Sequence, residues 1–171
     1  MLLVVLGLTA CSDDEEPPST LPPVSASPSE TAAAGEVPEE AQEATREGAA
    51  EFGRFFYETV EASFQDLDTK ALRAISDPSC EVCQRYIDSI DGFAKAGQRV
   101  EGNDITIIDV VAAPVEGATA SATVIYNSTA GRVVDGSGRV VLEEAARTNV
   151  VADMVLRRDG DSWVVTEVSA Q

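Results

Sequence analysis

The feature that most constrains the fold of this chain is a change of hydrophobic period near residue 97. Before that point, apolar residues recur at the i, i+3, i+4 spacing of an amphipathic helix: Phe52, Phe55, Phe56, Val60, Phe64 and Leu67. After it, residues 118–127 alternate between apolar and polar, as a half-buried strand does. Helices followed by strands predict an α+β domain with one antiparallel sheet covered on a single face.

Capping signals place three helices in the first half of the chain. The first is predicted to start at residues 38–40, where a proline precedes two glutamates, and a short second helix is predicted over residues 68–75. Asp77 is a candidate N-cap for the third helix, with Pro78 in the first helical position, and Gly97 is suited to end it.

Turn signals divide the second half into strands. Residues 104–113 are almost continuously apolar, residues 118–127 alternate, and residues 148–168 predict two strands joined by a turn at Asp159 and Gly160. A further turn is predicted at residues 135–138. Together with the helices, these strands are sufficient for one domain with its own core.

The N-terminal segment predicts export. Residues 1–10 are too short to span a bilayer and are typical of the apolar part of a signal peptide; a buried strand is the alternative. Leu8 to Cys11 resembles the bacterial lipobox, which implies a diacylglycerol on Cys11 and cleavage before it. Since no basic residue precedes the apolar run, we expect the true start to lie upstream.

A predicted tether follows the cysteine. Residues 12–45 contain nine of the chain's acidic residues, six of its eight prolines, no base and no aromatic residue. Such a segment has too little apolar surface to offset the entropy of ordering. The predicted organisation is a signal-peptide remnant at 1–10, a lipidated cysteine and disordered tether at 11–45, and a domain at 46–171. The expected location is the outer face of the cell membrane.

The charge of the chain excludes one class of partner. It carries 30 Asp and Glu against 12 Lys and Arg, and its net charge is −18. No basic stripe is available to neutralise phosphates, so we expect no nucleic-acid partner. Acidity of this kind keeps a protein soluble, or it attracts a cationic partner.

Cys80 and Cys83 form a Cys-x-x-Cys pair. Export would place them where disulfides persist, and three residues of helical spacing bring their Cα atoms within bonding range. A helix N-terminus also favours a thiolate, so redox chemistry is an alternative. A zinc site would require two further ligands, and the chain has no histidine. We predict a structural disulfide and no metal or cofactor.

Catalysis would have to depend on carboxylates, because a chain without histidine has neither a Ser-His-Asp nor a Cys-His arrangement. Asp109 and Asp153 lie within apolar strands and could act as bases, with Tyr57, Tyr86 or Tyr126 as proton donors, if they faced a pocket. An Asp in such a strand more commonly lies on its solvated face. We therefore expect no enzyme.

The last predicted hairpin carries Trp163, in the sequence Arg-Asp-Gly-Asp-Ser-Trp-Val-Val at residues 158–165. A tryptophan at this position either packs in the core or stacks on a ligand, and we expect packing. Three helices followed by long antiparallel strands that end in this hairpin resemble the cone-shaped nuclear-transport-factor-two-like, or SnoaL-like, fold. That resemblance implies helices packed on a curved antiparallel sheet.

A narrower resemblance covers almost the whole chain. The lipobox, the acidic tether, the Gly-Ala-Ala-Glu-Phe helix at residues 48–52 and the Pro-Ser-Cys-Glu-Val-Cys turn at 78–83 are similar to a family of uncharacterised lipoproteins from high-GC Gram-positive bacteria. That family implies no activity. Cones of this kind often form homodimers through the open face of the sheet.

From the sequence we therefore expect a membrane-anchored, outward-facing binding module for a protein or envelope component. The alternative is a small-molecule carrier or sensor that uses the apolar pocket of the cone. Depth of the pocket discriminates between them, because an enclosed cavity favours a ligand and a filled cone favours a macromolecular partner.

Overall fold

The structure is a computed structural model, and it describes residues 35–171. The predicted signal peptide, the predicted lipidation site Cys11 and the first part of the predicted tether lie outside the described residues. The described elements are, in chain order, α1 (Glu39–Gln42), α2 (Arg46–Asp66), α3 (Lys70–Ala74), α4 (Glu81–Lys95), β1 (Arg99–Gly102), β2 (Ile105–Ala112), β3 (Thr119–Ser128), β4 (Gly131–Val134), β5 (Val140–Glu144), β6 (Arg147–Asp159) and β7 (Ser162–Ala170). None of the helices within residues 35–171 is long and apolar enough to cross a membrane.

The larger sheet has four antiparallel strands in the order β2-β3-β6-β7. Its alternation agrees with the sequence: Ala120, Ala122, Val124 and Tyr126 of β3 are buried against the helices. The hairpin between β6 and β7 pairs Asp159 with Ser162, so its turn lies at the predicted position, and Gly160 there has a φ of 59°. The α+β class with helices on an antiparallel sheet is thus confirmed.

The prediction of a single sheet is wrong, because β1, β4 and β5 form a second sheet of three strands. Only two residues separate β1 from β2, β3 from β4 and β5 from β6, so the same run of chain bends from one sheet into the other. Asn103 has a φ of 63° at this bend, and a Cβ on Gly131 would lie 2.7 Å from the Cβ of Asn103. Glycine has no Cβ, so the backbone at Gly131 can approach Asn103 this closely. The close approach lets the sheet curve sharply here.

The first predicted helix is in fact two. The chain leaves α1 at Glu43, and Thr45 then caps α2 by accepting a hydrogen bond from Gly48 N at 3.0 Å. Ala41 of α1 is only 1% exposed. Residues 35–45, assigned to the tether from their acidity, therefore include part of the packed domain, because one buried alanine and backbone contacts suffice to hold them.

The third predicted helix, α4, also begins later than Asp77. The Asp77 side chain accepts hydrogen bonds from Ser79 N and Oγ in a turn, and Cys80 is the N-cap of α4. An Asx turn competes with helix initiation at such a residue. The predicted end is confirmed, since Gly97 follows α4 with a φ of 65°.

Helix α2 crosses the inner faces of both sheets and buries its aromatic side chains there. Phe52, Phe56 and Tyr57 are each no more than 1% exposed. They pack with residues from the inner face of the larger sheet, including Leu156, Trp163 and Val165. The core is therefore concentrated between α2 and the larger sheet, and it thins towards the smaller one.

Candidate functional site

A cavity of about 350 Å³ lies between α2, α4 and the bend of the sheets. Its helical walls are apolar and aromatic: Tyr57, Val60 and Phe64 from α2, with Tyr86 and Phe93 from α4. The sheet side adds side chains from β1 to β6: Val100, Ile105, Tyr126, Val133, Leu142 and Arg147. This volume falls within the range of small-molecule sites.

Three tyrosines meet in the cavity. The rings of Tyr57 and Tyr126 are 4.8 Å apart between centroids, and both residues are buried. Tyr86 packs edge-on against Phe64 at 6.1 Å. The sequence named these residues as candidate donors, and the structure brings all three to one site.

Burial keeps these phenols protonated. It raises the pKa of Tyr57 far above its ordinary value, and the neighbouring hydroxyls of Tyr86 and Tyr126 raise that pKa further. Burial, and then Tyr126, raises the pKa of Tyr86 to about 12, whereas the guanidinium groups of Arg147 and Arg85 lower it. Each ring therefore presents an O–H donor at neutral pH.

The hydroxyl of Tyr57 makes no hydrogen bond to any atom of residues 35–171. Although it lies near enough to Tyr86 and Tyr126 to influence its pKa, the geometry of neither contact is that of a hydrogen bond. Leaving a buried polar group unpaired costs about 1–3 kcal/mol. An acceptor placed in the cavity would recover this cost.

Arginines also line the cavity, although no pattern in the sequence marked them as site residues. Arg85, Arg132 and Arg147 contribute to its wall, with Glu144 as a single acidic neighbour among the lining residues described. Arg132 is held by Glu101, whose carboxylate lies 2.7 Å from Nη2. Within the described chain, Arg85 and Arg147 have no carboxylate within 4.0 Å. Their positions depend on the bend of the sheet, which has no clear signal in the sequence.

The two aspartates considered for catalysis lie elsewhere. Asp109 and Asp153 are exposed and neither lines the cavity. Asp153 accepts a hydrogen bond from Thr123 Oγ1 at 2.6 Å across neighbouring strands, and Asp109 accepts one from Val110 N. Both occupy the solvated face of the sheet, so the geometry does not bring them together with the tyrosines.

The cysteine pair does not line the cavity either. A disulfide joins Cys80 and Cys83, whose Cα atoms are 5.2 Å apart, and both residues are 0% exposed. Redox-active cysteines require access to their partners, whereas these two are fully buried at the start of α4. Within the described part of the chain, no cluster of three or more His, Cys, Asp or Glu side chains could hold a metal ion.

Trp163 is a packing residue rather than a ligand platform. Its side chain is 1% exposed, and Nε1 donates a hydrogen bond to Glu43 O at 2.9 Å. The guanidinium of Arg158 lies 5.0 Å from the ring centroid and donates to Gln42 O at 2.5 Å. This pair of side chains therefore fastens α1 to the last hairpin.

With this geometry established, comparison with known proteins places the chain among relatives. A model of a family of unknown function, DUF6318, matches residues 25–169. The chain belongs to that family. No curated protein matches it.

The chain resembles solved structures at low sequence identity. The intermembrane space region of the chloroplast protein ARC6 is 16% identical, with a TM-score of 0.53 over 73% of this chain and 95% of that one. A putative dehydratase of the NTF2-like family from Streptomyces avermitilis is 18% identical, with a TM-score of 0.44 over 72% and 94% of the two chains. An NTF2-like protein of unknown function from Pseudomonas putida is 13% identical, with a TM-score of 0.44 over 72% and 86%.

Membership of a family of unknown function leaves the activity to be argued from the site. The lining of the cavity is the part of the molecule that carries such an argument.

Proposed function

We propose that this domain binds a small molecule in the cone cavity without transforming it, and so acts as a carrier or sensor. The observation that carries the proposal is the cavity of about 350 Å³, lined by aromatic side chains and containing a buried, unpaired tyrosine hydroxyl. A cone built only to present its surface would gain stability by filling this space. The small-molecule hypothesis is therefore preferred to the protein-binding one.

Binding without catalysis is supported by the chemistry of the lining. The chain has no histidine, and Asp109 and Asp153 lie on the solvated face of the sheet. The tyrosines are held protonated by burial, which makes them hydrogen-bond donors rather than bases. These groups can orient a ligand and exclude water from it.

Ligand binding can be tested by blocking the mouth of the cavity. Ser89 of α4 is exposed and lines the cavity, so a Ser89→Trp variant should obstruct entry. Gln84→Trp, on the same helix but outside the lining, is the matched control. A panel of small fragments is screened against the full chain by NMR. We expect fragments to shift the amide resonances around Tyr57 and Tyr126 in the wild type and in Gln84→Trp, but not in Ser89→Trp. Binding that survives in Ser89→Trp would refute the cavity as the site.

We further propose that Cys11 anchors the domain on the outer face of the membrane. The lipobox-like sequence from Leu8 to Cys11 and the acidic, proline-rich segment after it support this. Two acyl chains at one cysteine would suffice for stable anchoring. A Cys11→Ser variant should move from the membrane fraction to the medium or accumulate as an uncleaved precursor. Unchanged partitioning into detergent would rule the anchor out.

A macromolecular partner, either a protein or an envelope component, remains a second proposal because of the exposed strand β5. Val140, Val141 and Leu142 are 38%, 42% and 43% exposed at the edge of the three-stranded sheet. An apolar edge of this kind can accept an added strand. We expect Val141→Lys to abolish capture of such a partner from intact cells and to leave small-molecule binding unchanged.

A homodimer is a separate proposal, with the outer face of the larger sheet as its interface. Ile108 and Val111 of β2 are 50% and 47% exposed there. Sedimentation of the wild type against Val111→Lys tests this arrangement, since a charge in the interface should dissociate the dimer.

A further inference from the structure

We propose that the ligand of the cone cavity is an organic anion: an acidic headgroup bound by Arg85 and Arg147 at the mouth, on an apolar or aromatic body that fills the interior. This inference rests on the proposed small-molecule function and names the class of ligand. Three independent observations support it.

The first observation is the sign of the charge around the cavity. Acidic residues outnumber basic ones by 30 to 12 in the whole chain, yet three arginines and one glutamate line this site. Glu101 neutralises Arg132. Arg85 and Arg147 then outnumber Glu144 among the charges that face the ligand. A local excess of positive charge in so acidic a protein attracts an anion and repels a cation.

The second observation is that the two arginines act at one place although they are distant in sequence. Arg85 belongs to α4 and Arg147 begins β6, but the charges of both reach the hydroxyl of Tyr86. Arg85 and Arg147 are exposed residues that also line the cavity, from which we infer that their guanidinium groups lie at its mouth. Within residues 35–171 neither has a carboxylate partner to displace. Guanidinium groups placed in this way suit a carboxylate or sulfonate.

The third observation is the interior of the cavity. Tyr57 is 1% exposed and its hydroxyl has no partner among the described residues. Apolar side chains line much of the interior, with Val60, Phe64, Phe93 and Ile105, and Ser89, Asn103 and Ser128 add polar groups. The body of the ligand should therefore be largely apolar, with a hydrogen-bond acceptor near Tyr57.

The test uses matched pairs of acids and alcohols on the full chain: 2-naphthoate with 2-naphthalenemethanol, 4-phenylbutyrate with 4-phenylbutanol, and octanoate with octanol. Affinities are measured by isothermal titration calorimetry or NMR. We expect the acid of at least one pair to bind tenfold or more tightly than its alcohol, because charge-assisted hydrogen bonds stabilise only the acid. In Arg147→Gln and Arg85→Gln this ratio should fall towards one, and Arg147→Lys should retain part of it.

Arg54→Gln is the matched control, since it removes the same charge from a half-buried position on α2 outside the cavity. It should leave the ratio unchanged. If acid and alcohol bind equally, the anion inference is wrong and the proposed function stands. If no compound of the panel binds, the proposed function fails and takes the inference with it. A ratio that falls equally in Arg54→Gln would show that the overall charge, and not the cavity, selects the acid.

Discussion

The two ends of this domain are built from the same helix and from continuous strands that bend between them, yet one end is filled and the other is open. At the filled end, Phe52, Leu156 and Trp163 of α2, β6 and β7 are each no more than 1% exposed. At the open end, the β1-β4-β5 sheet has only one strand between its two edges, and Val141 and Leu142 of β5 are more than 40% exposed.

The difference lies in what covers each sheet. The larger sheet has four strands, and α2 and α4 both contact it. The smaller sheet meets few helical residues, and Tyr57, Tyr86 and Tyr126, from α2, α4 and β3, line the space that remains. We infer that the filled end carries most of the stability and that the open end keeps room for a ligand. The following substitutions test that division.

The largest effect is expected at Trp163. Trp163→Ala removes the largest fully buried side chain and its hydrogen bond to Glu43 O, and should lower the free energy of unfolding by about 3–5 kcal/mol. Denaturant titration of the full chain measures this loss. Trp163→Phe keeps much of the volume but loses the hydrogen bond, and should cost less. A small loss for Trp163→Ala would show that the filled end does not carry the stability.

Removal of the disulfide should have a smaller effect at the same end. Cys80 and Cys83 are separated by three positions, and chain entropy gives about 2 kcal/mol for so short a loop. The double Cys80→Ser, Cys83→Ser variant should therefore remain folded and melt some degrees lower, with ligand binding intact. Non-reducing alkylation of the native protein followed by mass spectrometry supplies the control: two alkylated cysteines would contradict the disulfide.

At the open end, Tyr57→Phe should change the free energy of unfolding in the opposite direction. The variant removes a buried hydroxyl that has no partner among residues 35–171, so the free energy of unfolding should stay constant or rise by up to about 1 kcal/mol. Thermal unfolding measures the change, and Trp163→Phe is the matched comparison because it also removes one polar atom. Destabilisation by Tyr57→Phe would mean that the hydroxyl is paired in solution.

The smallest effect on stability is expected for two carboxylates, Asp77 at the filled end and Asp135 at the open end. Hydrogen bonds from Ser79 and then the Arg157 side chain lower the pKa of Asp77 to about 2, and hydrogen bonds from Ser137 and Arg139 lower that of Asp135 to about 2. Since an unfolded Asp has a pKa near 4, both contribute stability above about pH 4 that is lost as the pH falls through about 2.

Asp77 connects the start of α4 to Arg157, 80 residues away, whereas the partners of Asp135 lie within its own turn. Both folded pKa values are about 2, but the local turn of Asp135 can persist in the unfolded chain, whereas the contact of Asp77 with Arg157 cannot. We therefore expect Asp77→Asn to reduce the loss of stability between pH 4 and pH 2 more than Asp135→Asn does. Urea titrations across that range measure both slopes. Equal slopes would indicate that the ion pair across the filled end adds nothing to the local turn.

Much of the fold could be predicted because local patterns agree with the tertiary structure. The aromatic face of α2, the alternation of β3 and the turn at Gly160 all follow from periodicity and turn chemistry. The second sheet could not be predicted, because it depends on a bend at Asn103 and Gly131 that only strand pairing defines.

The site was only partly predictable for the same reason. Tyr57, Tyr86 and Tyr126 were identified by chemical type, and the bend gathers them at the cavity. Arg85 and Arg147 were missed because nothing local distinguishes them from arginines on an ordinary solvated surface.

The fastening of α1 to the last hairpin also sets the order in which the protein can mature. Trp163 Nε1 and Glu43 O are 120 positions apart, and Arg158 and Gln42 are 116 positions apart. A ribosome delivers α1 and α2 before β6 and β7, so α1 can pack on α2 early but cannot make these two contacts until the final hairpin emerges. Contacts so distant in sequence also form slowly. The fastening of α1 to the hairpin is therefore a late step, and it completes the domain only when Trp163 and Arg158 are in place.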